Sequence, residues 1–154
     1  MRPSLRLLGN KKNLVGCEVG VDRGHNALAM FICLHIEKLY LVDHWKNRRA
    51  FEEAKKRLAD FADRIVWLKK MSADVNDGEI SRESLDFCYI DGGHTYDVVR
   101  ADLESYWSRI KHDGMLCGHD YMREKEVRKA VNEFGDAGKL RVYYFDQDWW
   151  IWKE

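Results

Sequence analysis

A chain of 154 residues with 45% hydrophobic and 34% charged side chains has the composition of one globular domain with enough material for a sizeable core. Its 26 basic and 26 acidic residues cancel, so no long-range field draws it to nucleic acid or to an anionic membrane surface. The longest apolar run, Ala27 to Leu34, falls far short of the ~18 residues of a membrane span, and Met1 to Gly9 lacks the apolar core of a secretory signal, so a cytoplasmic location is expected.

Asn13 to Val19 predicts a first strand, and Gly24 to Ile36 a helix with Ala27, Leu28, Phe31 and Leu34 at helical spacing. Leu39 to Asp43 is a second strand. Asn47 to Phe61 predicts an amphipathic helix with Phe51, Ala54, Leu58 and Phe61 on one face and Glu52–Lys56 and Glu53–Arg57 pairs on the other. Arg64 to Leu68 and Leu85 to Ile90 are the third and fourth strands. From Tyr96 to Ile110, the residues Val99, Leu103, Tyr106, Trp107 and Ile110 share one helical stripe. Met115 to Gly118 predicts a fifth strand and Glu124 to Phe134 a shorter helix. The final segment breaks the alternation: Leu140 to Phe145 and Trp149 to Trp152 predict two strands joined across Asp146-Gln147-Asp148.

Strands alternating with helices over short connections imply a parallel sheet covered on both faces, here closed by an antiparallel hairpin. No repeat, low-complexity tract or linker divides the chain, so residues 1–154 are read as a single domain. Cys17, Cys33, Cys88 and Cys117 lie inside apolar runs without C-x-x-C spacing and read as buried free thiols. Lys11-Lys12, Arg48-Arg49 and Lys69-Lys70 are diluted by acids and read as solvated faces. His25, His35 and His112 are assigned to structure. The aromatics from Tyr143 to Trp152 read as hairpin packing or a contact between copies.

In an open parallel sheet, ligands bind outside the carboxyl ends of the strands, and polar clusters stand at several of these ends. After the first strand comes Glu18-Val-Gly20-Val-Asp22-Arg23-Gly24, where glycines allow a sharp turn and the next helix offers unpaired N–H groups. The spacing is not the G-x-G-x-x-G of a dinucleotide fold. Asp43 ends the second strand, 25 positions after Glu18, and suits the two hydroxyls of a ribose. His44 and Trp45 follow, either as an adenine flank or, for Trp45, as simple packing. A polar residue within Lys70 to Asp74 could meet an adenine amino group. The fourth and fifth strands run into Asp91-Gly92-Gly93-His94-Thr95-Tyr96 and Gly118-His119-Asp120-Tyr121, one helix apart, which implies one shared site. His94 and His119 are the candidate bases, since free imidazole titrates near neutrality. Helix capping by His94 and turn capping by Asp91 are the alternatives.

In order, these blocks resemble the class I S-adenosylmethionine-dependent methyltransferases, from Asn13 to Trp152. More narrowly they resemble the small-molecule and sugar O-methyltransferase-like branch with its IDG-H-Y and GHDY motifs. The resemblance implies an α/β, Rossmann-like methyltransferase fold: a mostly parallel seven-stranded sheet, helices on both faces and a C-terminal antiparallel hairpin. It also implies that Glu18, Gly20 and Gly24 form the turn around the methionine part of the cofactor. Asp43 would take the ribose hydroxyls, and Ser72 or Asp74 would lie near the adenine. Asp91 would face both cofactor and substrate, with Glu18, Asp91 and Asp120 along one edge. Methyl transfer is an in-line displacement in which the protein supplies alignment and proton handling. Some relatives bind a divalent ion through an aspartate like Asp91 and two adjacent acids at the next strand end. Here that pair is His119-Asp120, which makes His119 the leading base, beside His94, Asp91 and Asp120. No metal is expected, and an ion on Asp91 and Asp120 is the minority option.

The expected function is therefore methyl transfer from S-adenosylmethionine to a hydroxyl of a small molecule or glycan. Two rivals share the same pattern. A nicotinamide-dependent oxidoreductase would use the same βαβ unit and ribose acid, against which the glycine spacing and closing hairpin count. A non-catalytic cofactor-binding protein would explain how little chain is left over to cover a substrate. Neither a membrane nor a nucleic acid is an expected partner, whereas a second copy could complete so open a site.

Overall fold

The computed structural model describes residues 1–154. Strands Leu14–Val19 (β1), Ile36–Asp43 (β2), Ile65–Lys69 (β3), Leu85–Ile90 (β4), Ile110–Gly118 (β5), Tyr143–Phe145 (β6) and Asp148–Trp152 (β7) build one sheet. Its order is β3-β2-β1-β4-β5-β7-β6. The first five strands run parallel, and β7 lies antiparallel to both β5 and β6. This is the mostly parallel seven-stranded sheet with a reversed closing hairpin that the sequence predicts. The chain winds outward from β1 to β3, then restarts on the other side of β1 with β4. That reversal creates a crevice above the carboxyl ends of β1 and β4.

Both faces of the sheet are covered, which is why β1 and β4 are apolar and buried along nearly their whole length. Helices Tyr96–Trp107 (α3) and Lys125–Gly138 (α4) cover one face through Val99, Leu103, Tyr106, Val127, Val131 and Phe134. Helices His25–Cys33 (α1) and Arg48–Arg57 (α2) cover the other with Ala27, Met30, Phe31 and Ala50. A 3-10 turn, Ser4–Leu8, completes this second layer by burying Leu5 and Leu8 completely. Asn47 caps α2, its Oδ1 accepting from the N–H groups of Arg49 and Ala50 at 3.1 and 3.4 Å.

Several element boundaries differ from the sequence expectation, each for a tertiary reason. α1 stops at Cys33, because Leu34 is extended and Ile36 already pairs with Leu14 in the sheet. α3 stops at Trp107, and Ile110 pairs with Leu85 as the start of β5, a strand that also takes in His112. α2 stops at Arg57, and a 3-10 segment, Ala59–Arg64, carries Phe61 onto Phe31, where the rings stack 4.6 Å apart. α4 runs on past Phe134 to Gly138, with Lys139 in the left-handed conformation just beyond. The expected Glu52–Lys56 and Glu53–Arg57 pairs do not form. Glu53 pairs with Arg49 and Arg23 and Glu52 with Lys55, while Arg57 donates to the Arg23 carbonyl. Three cysteines are buried, but Cys33 at the end of α1 is exposed. No helix is long and apolar enough to cross a membrane.

Candidate functional site

Because β1 and β4 are neighbours, the turns that follow them touch. Gly20 has φ +86°, and a Cβ there would overlap the Asp91 carbonyl, so only glycine permits the approach. Beside this contact opens a cavity of about 350 Å³ lined by Gly20, Asp22, Asp43, His44, Met71, Ser72, Asp91, Gly92 and Gly93, among others. That volume lies within the range of small-molecule sites.

Asp43 organises one wall. Its Oδ2 accepts from the N–H groups of Val21 and Asp22 at 3.0 and 2.9 Å, and its Oδ1 accepts from Trp45 N–H at 2.7 Å. One carboxylate thus ties the turn after β1 to the turn after β2. Trp45 sits at φ 39°, a strained region for so bulky a side chain. It is held there by that bond, by its indole N–H donating to the Asp22 carbonyl at 2.8 Å, and by packing on Phe51 and Trp67. Trp45 is therefore a core residue, and His44 is the one left beside the cavity.

Glu18 lies beneath the same turn, 1% exposed, its Oε1 accepting from Asn26 Nδ2 at 2.9 Å. Its Oε2 is buried without a hydrogen-bond partner. Burial pushes its carboxyl up to about 8, with Asn26 opposing and the nearby Asp91 charge adding to the rise. A buried acid with one orphaned oxygen beside the Gly20 turn leaves a hydrogen-bonding position unfilled next to a ligand-sized cavity.

The second half of the site gathers where β4 and β5 end. Asp120, in the left-handed region at φ 63°, stands between two imidazoles. His94 Nε2 lies 2.9 Å from its Oδ2, and His119 Nδ1 lies 3.3 Å from its Oδ1 and 3.8 Å from Asp91 Oδ1. Burial raises the Asp91 carboxyl, with His119 and Arg2 opposing. Asp91, His94 and Asp120 each offer a ligand atom within 4.8 Å of the others. One imidazole and two carboxylates are donors for manganese or zinc more than for magnesium. A narrow crevice of about 10 Å³ between these residues shares Asp91, Gly92 and Gly93 with the large cavity.

The fold thus brings Gly20, Asp43, Ser72 and Asp91 into the cavity wall, with Glu18 beneath them and His94, His119 and Asp120 next door. Gly24 is not in the wall; at φ 73° it is the N-cap of α1 and ends the turn. Asp74 is exposed on the loop after β3 and also lies outside the wall. His94 does not cap α3: the N-cap is Thr95, and the Tyr96 N–H donates to Glu126 of α4 at 2.9 Å.

Four groups of residues escaped the sequence reading. Arg2 reaches Asp91 at 3.2 Å and also touches His119 Nε2. Asp148 anchors Ser4, and Asn26 steadies Glu18. Arg109 holds the loop after β3 by donating to the carbonyls of Val75 and Ile80, and Asp102 on α3 is buried with its carboxyl raised to about 6 by that burial. Only Asp102 had a local signal, as a charged residue one position before Leu103 on the apolar stripe of α3.

Residues 17–121 match the model of a family described as a methyltransferase domain. A Streptococcus mutans protein described as a methyltransferase, solved with S-adenosylhomocysteine, superposes with a TM-score of 0.77 at 13% identity, over 100% of this chain and 99% of that one. A Clostridium thermocellum protein described as an rRNA methylase gives 0.75 at 13% identity, over 98% and 94% of the two chains. The N-methyltransferase NodS from Bradyrhizobium japonicum gives 0.69 at 15% identity, over 98% and 92%. At these identities the structures speak for the fold. No curated protein matches the sequence. Since the matched stretch runs from inside β1 to the Tyr121 that follows the last polar cluster, the chain belongs to the methyltransferase domain family and is an S-adenosylmethionine-dependent methyltransferase.

Proposed function

We propose that the acceptor is a hydroxyl of a small molecule or glycan, and that residues 1–154 act as one catalytic domain. The observation that carries this reading is the shared wall Asp91–Gly93: a cofactor-sized cavity on one side of it and two imidazoles with a carboxylate on the other. In this reading Gly20 and the turn around it cradle the methionine part of the cofactor over Glu18. Asp43 holds the ribose hydroxyls with the lone-pair capacity its three backbone N–H bonds leave over, Ser72 borders the adenine, and Gly24 sets the turn. Asp74 takes no part in the cavity. The orphaned Glu18 oxygen and the glycine-only contact at Gly20 are what fit the group to these residues.

When bound, the cofactor supplies an electrophilic methyl on a sulfonium. The chain's residues do the rest. Asp91 orients the acceptor at the boundary of the two spaces. His94, half exposed, has Asp120 at its Nε2 and no hydrogen bond at Nδ1, so Nδ1 is the atom that takes the hydroxyl proton. Asp120 then stabilises the imidazolium. His119 has neighbours at both ring nitrogens and serves better as a support than as the base. The mechanism routes no step through a metal.

Two of the structural neighbours are named rRNA methylases, which makes RNA the competing acceptor. A net charge of zero weighs against it, because phosphate contacts dominate nucleic-acid affinity. The nicotinamide alternative has no support from either family or fold. Calorimetric titration with S-adenosylhomocysteine, with NADH as control, tests the cofactor half, and saturable binding of the first alone is expected. Methyl transfer from labelled cofactor to a panel of hydroxylated small molecules and sugars, against total RNA, tests the acceptor half. Labelling of RNA alone would overturn the small-molecule or glycan reading.

A further inference from the structure

The segment Met1–Leu8 crosses the acceptor side of the site, and nothing in the family motifs involves it. It is pinned by a buried polar knot. Asp148 Oδ2 accepts from the Ser4 N–H at 3.0 Å and from Ser4 Oγ at 2.6 Å, while Asp148 Oδ1 accepts from Tyr89 OH at 3.0 Å. Ser4, Leu5 and Asp148 are each 1% exposed or less. Two residues before this anchor, the Arg2 side chain turns inward. Its Nη2 donates to Asp91 Oδ2 at 3.2 Å, and its Nη1 lies against His119 Nε2.

A guanidinium has donors only, so the His119 Nε2 that faces it must be the unprotonated acceptor. The ring proton then sits on Nδ1, toward Asp120 and Asp91. Both nitrogens of His119 are thereby spoken for, and its side chain is only 17% exposed, against 49% for His94. The sequence puts His119 first as the base, yet it is the capped histidine and His94 is the open one.

We propose that Arg2 is a positioning residue of the methyl-transfer centre: held by the Ser4–Asp148 anchor, it caps Nε2 of His119 and so leaves His94 as the one imidazole of this pair that an acceptor can reach. The same guanidinium offsets the charge of Asp91, which keeps that carboxylate directed at the shared wall. The inference deepens the function proposed above and rests on it for the word acceptor, but the capping itself is independent of any substrate.

Diethyl pyrocarbonate, which acylates accessible unprotonated imidazole nitrogens, reads the difference directly when modified peptides are followed by mass spectrometry. In the unaltered protein His94 reacts at least about tenfold faster than His119. Arg2→Ala raises the His119 rate about tenfold and leaves His94 unchanged, Arg2→Lys restores part of the protection, and Ser4→Ala, which cuts the anchor, exposes His119 to an intermediate degree. Equal rates at the two histidines in the unaltered protein, or no change on Arg2→Ala, would overturn the proposal. Nitrogen-15 spectra of histidine-labelled protein give a reading that needs no variant: His119 carries its proton on Nδ1, and a proton on Nε2 instead sinks the idea. Titration with S-adenosylhomocysteine in parallel separates the two layers, since a protein that protects His119 but binds no cofactor product fails the functional reading and not this one.

Discussion

A single carboxylate in this site does two things at once, and that has a measurable consequence. Asp43 ties three backbone N–H groups across two loops and faces the cavity. Asp43→Ala should therefore weaken S-adenosylhomocysteine binding by about 100-fold, as loss of a charged hydrogen-bond acceptor costs roughly 1.5–3 kcal/mol and the loop also loosens. Asp43→Asn, which can still accept from the backbone, should fall between; calorimetry in which Asp43→Ala binds like wild type would remove the ribose role. Glu18 carries a different signature. Its folded carboxyl is raised to about 8 by burial, from the 4.5 of an exposed side chain. Between those values the unfolded chain has released the proton and the folded chain still holds it. This contribution to stability is therefore complete below pH 4.5 and is lost as pH rises toward 8, at up to ~1.4 kcal/mol per pH unit. Glu18→Gln, which cannot ionise, should flatten the fall in melting temperature between pH 5 and 8. A slope identical to that of the unaltered protein would mean that Glu18 is ionised in the fold.

At the scale of elements, the parts legible in the sequence are those with a local cause. Strand ends were marked by Gly and Asp clusters because a chain leaving a parallel sheet must turn at once. α2 was marked by its Asn47 cap and its stripe, and the hairpin by two aromatic runs two or three residues apart. What stayed hidden is whatever depends on a distant partner. Ile110 fits the stripe of α3 as well as it fits a strand, and only its pairing with Leu85 decides. Ion pairs on α2 follow Arg23, which lies outside the helix. The same holds for the site: Gly20, Asp43, Asp91, His94 and His119 stand in motifs, whereas Arg2 and Ser4 have no local pattern and act across 89 to 144 positions. The anchor joining the 3-10 turn to β4 and β7 is the element-scale prediction. Asp148→Ala leaves a buried Ser4 N–H and Tyr89 hydroxyl without their acceptor, at about 2–4 kcal/mol. A fall of about 5–15 °C in melting temperature is expected for a domain of this size. A smaller fall than about 3 °C would show that the turn is held by Leu5 and Leu8 alone.

For the whole molecule, the sheet explains how one small chain can be both rigid and receptive. Both layers of helices pack on the same seven strands, from which we propose that the two halves of the site unfold as one cooperative unit rather than as two hinged lobes. Its cavity lies at the reversal of strand order, where the turns after β1, β2, β3 and β4 meet and where no helix can cover the strand ends. A ligand bound there contacts four loops held by one core and must stabilise the entire fold. Thermal unfolding should accordingly show one transition, and S-adenosylhomocysteine at about 100 times its dissociation constant should add roughly 2.7 kcal/mol. For a domain of about 150 residues that is an upward shift of about 5–10 °C. NADH should add nothing, and Asp43→Ala should lose most of the shift while keeping a single transition. Two transitions, with only one moved by the ligand, would mean instead that the layers unfold separately and that the domain is not the single unit proposed here. The uncovered strand ends that make room for a cofactor also leave the acceptor side open at His94, so stabilisation by an acceptor should be additive with that of the cofactor product. Ser4→Ala, which loosens the Met1–Leu8 segment without touching the cavity wall, is expected to leave S-adenosylhomocysteine affinity within about twofold, and a larger loss would tie that segment to the cofactor cavity instead.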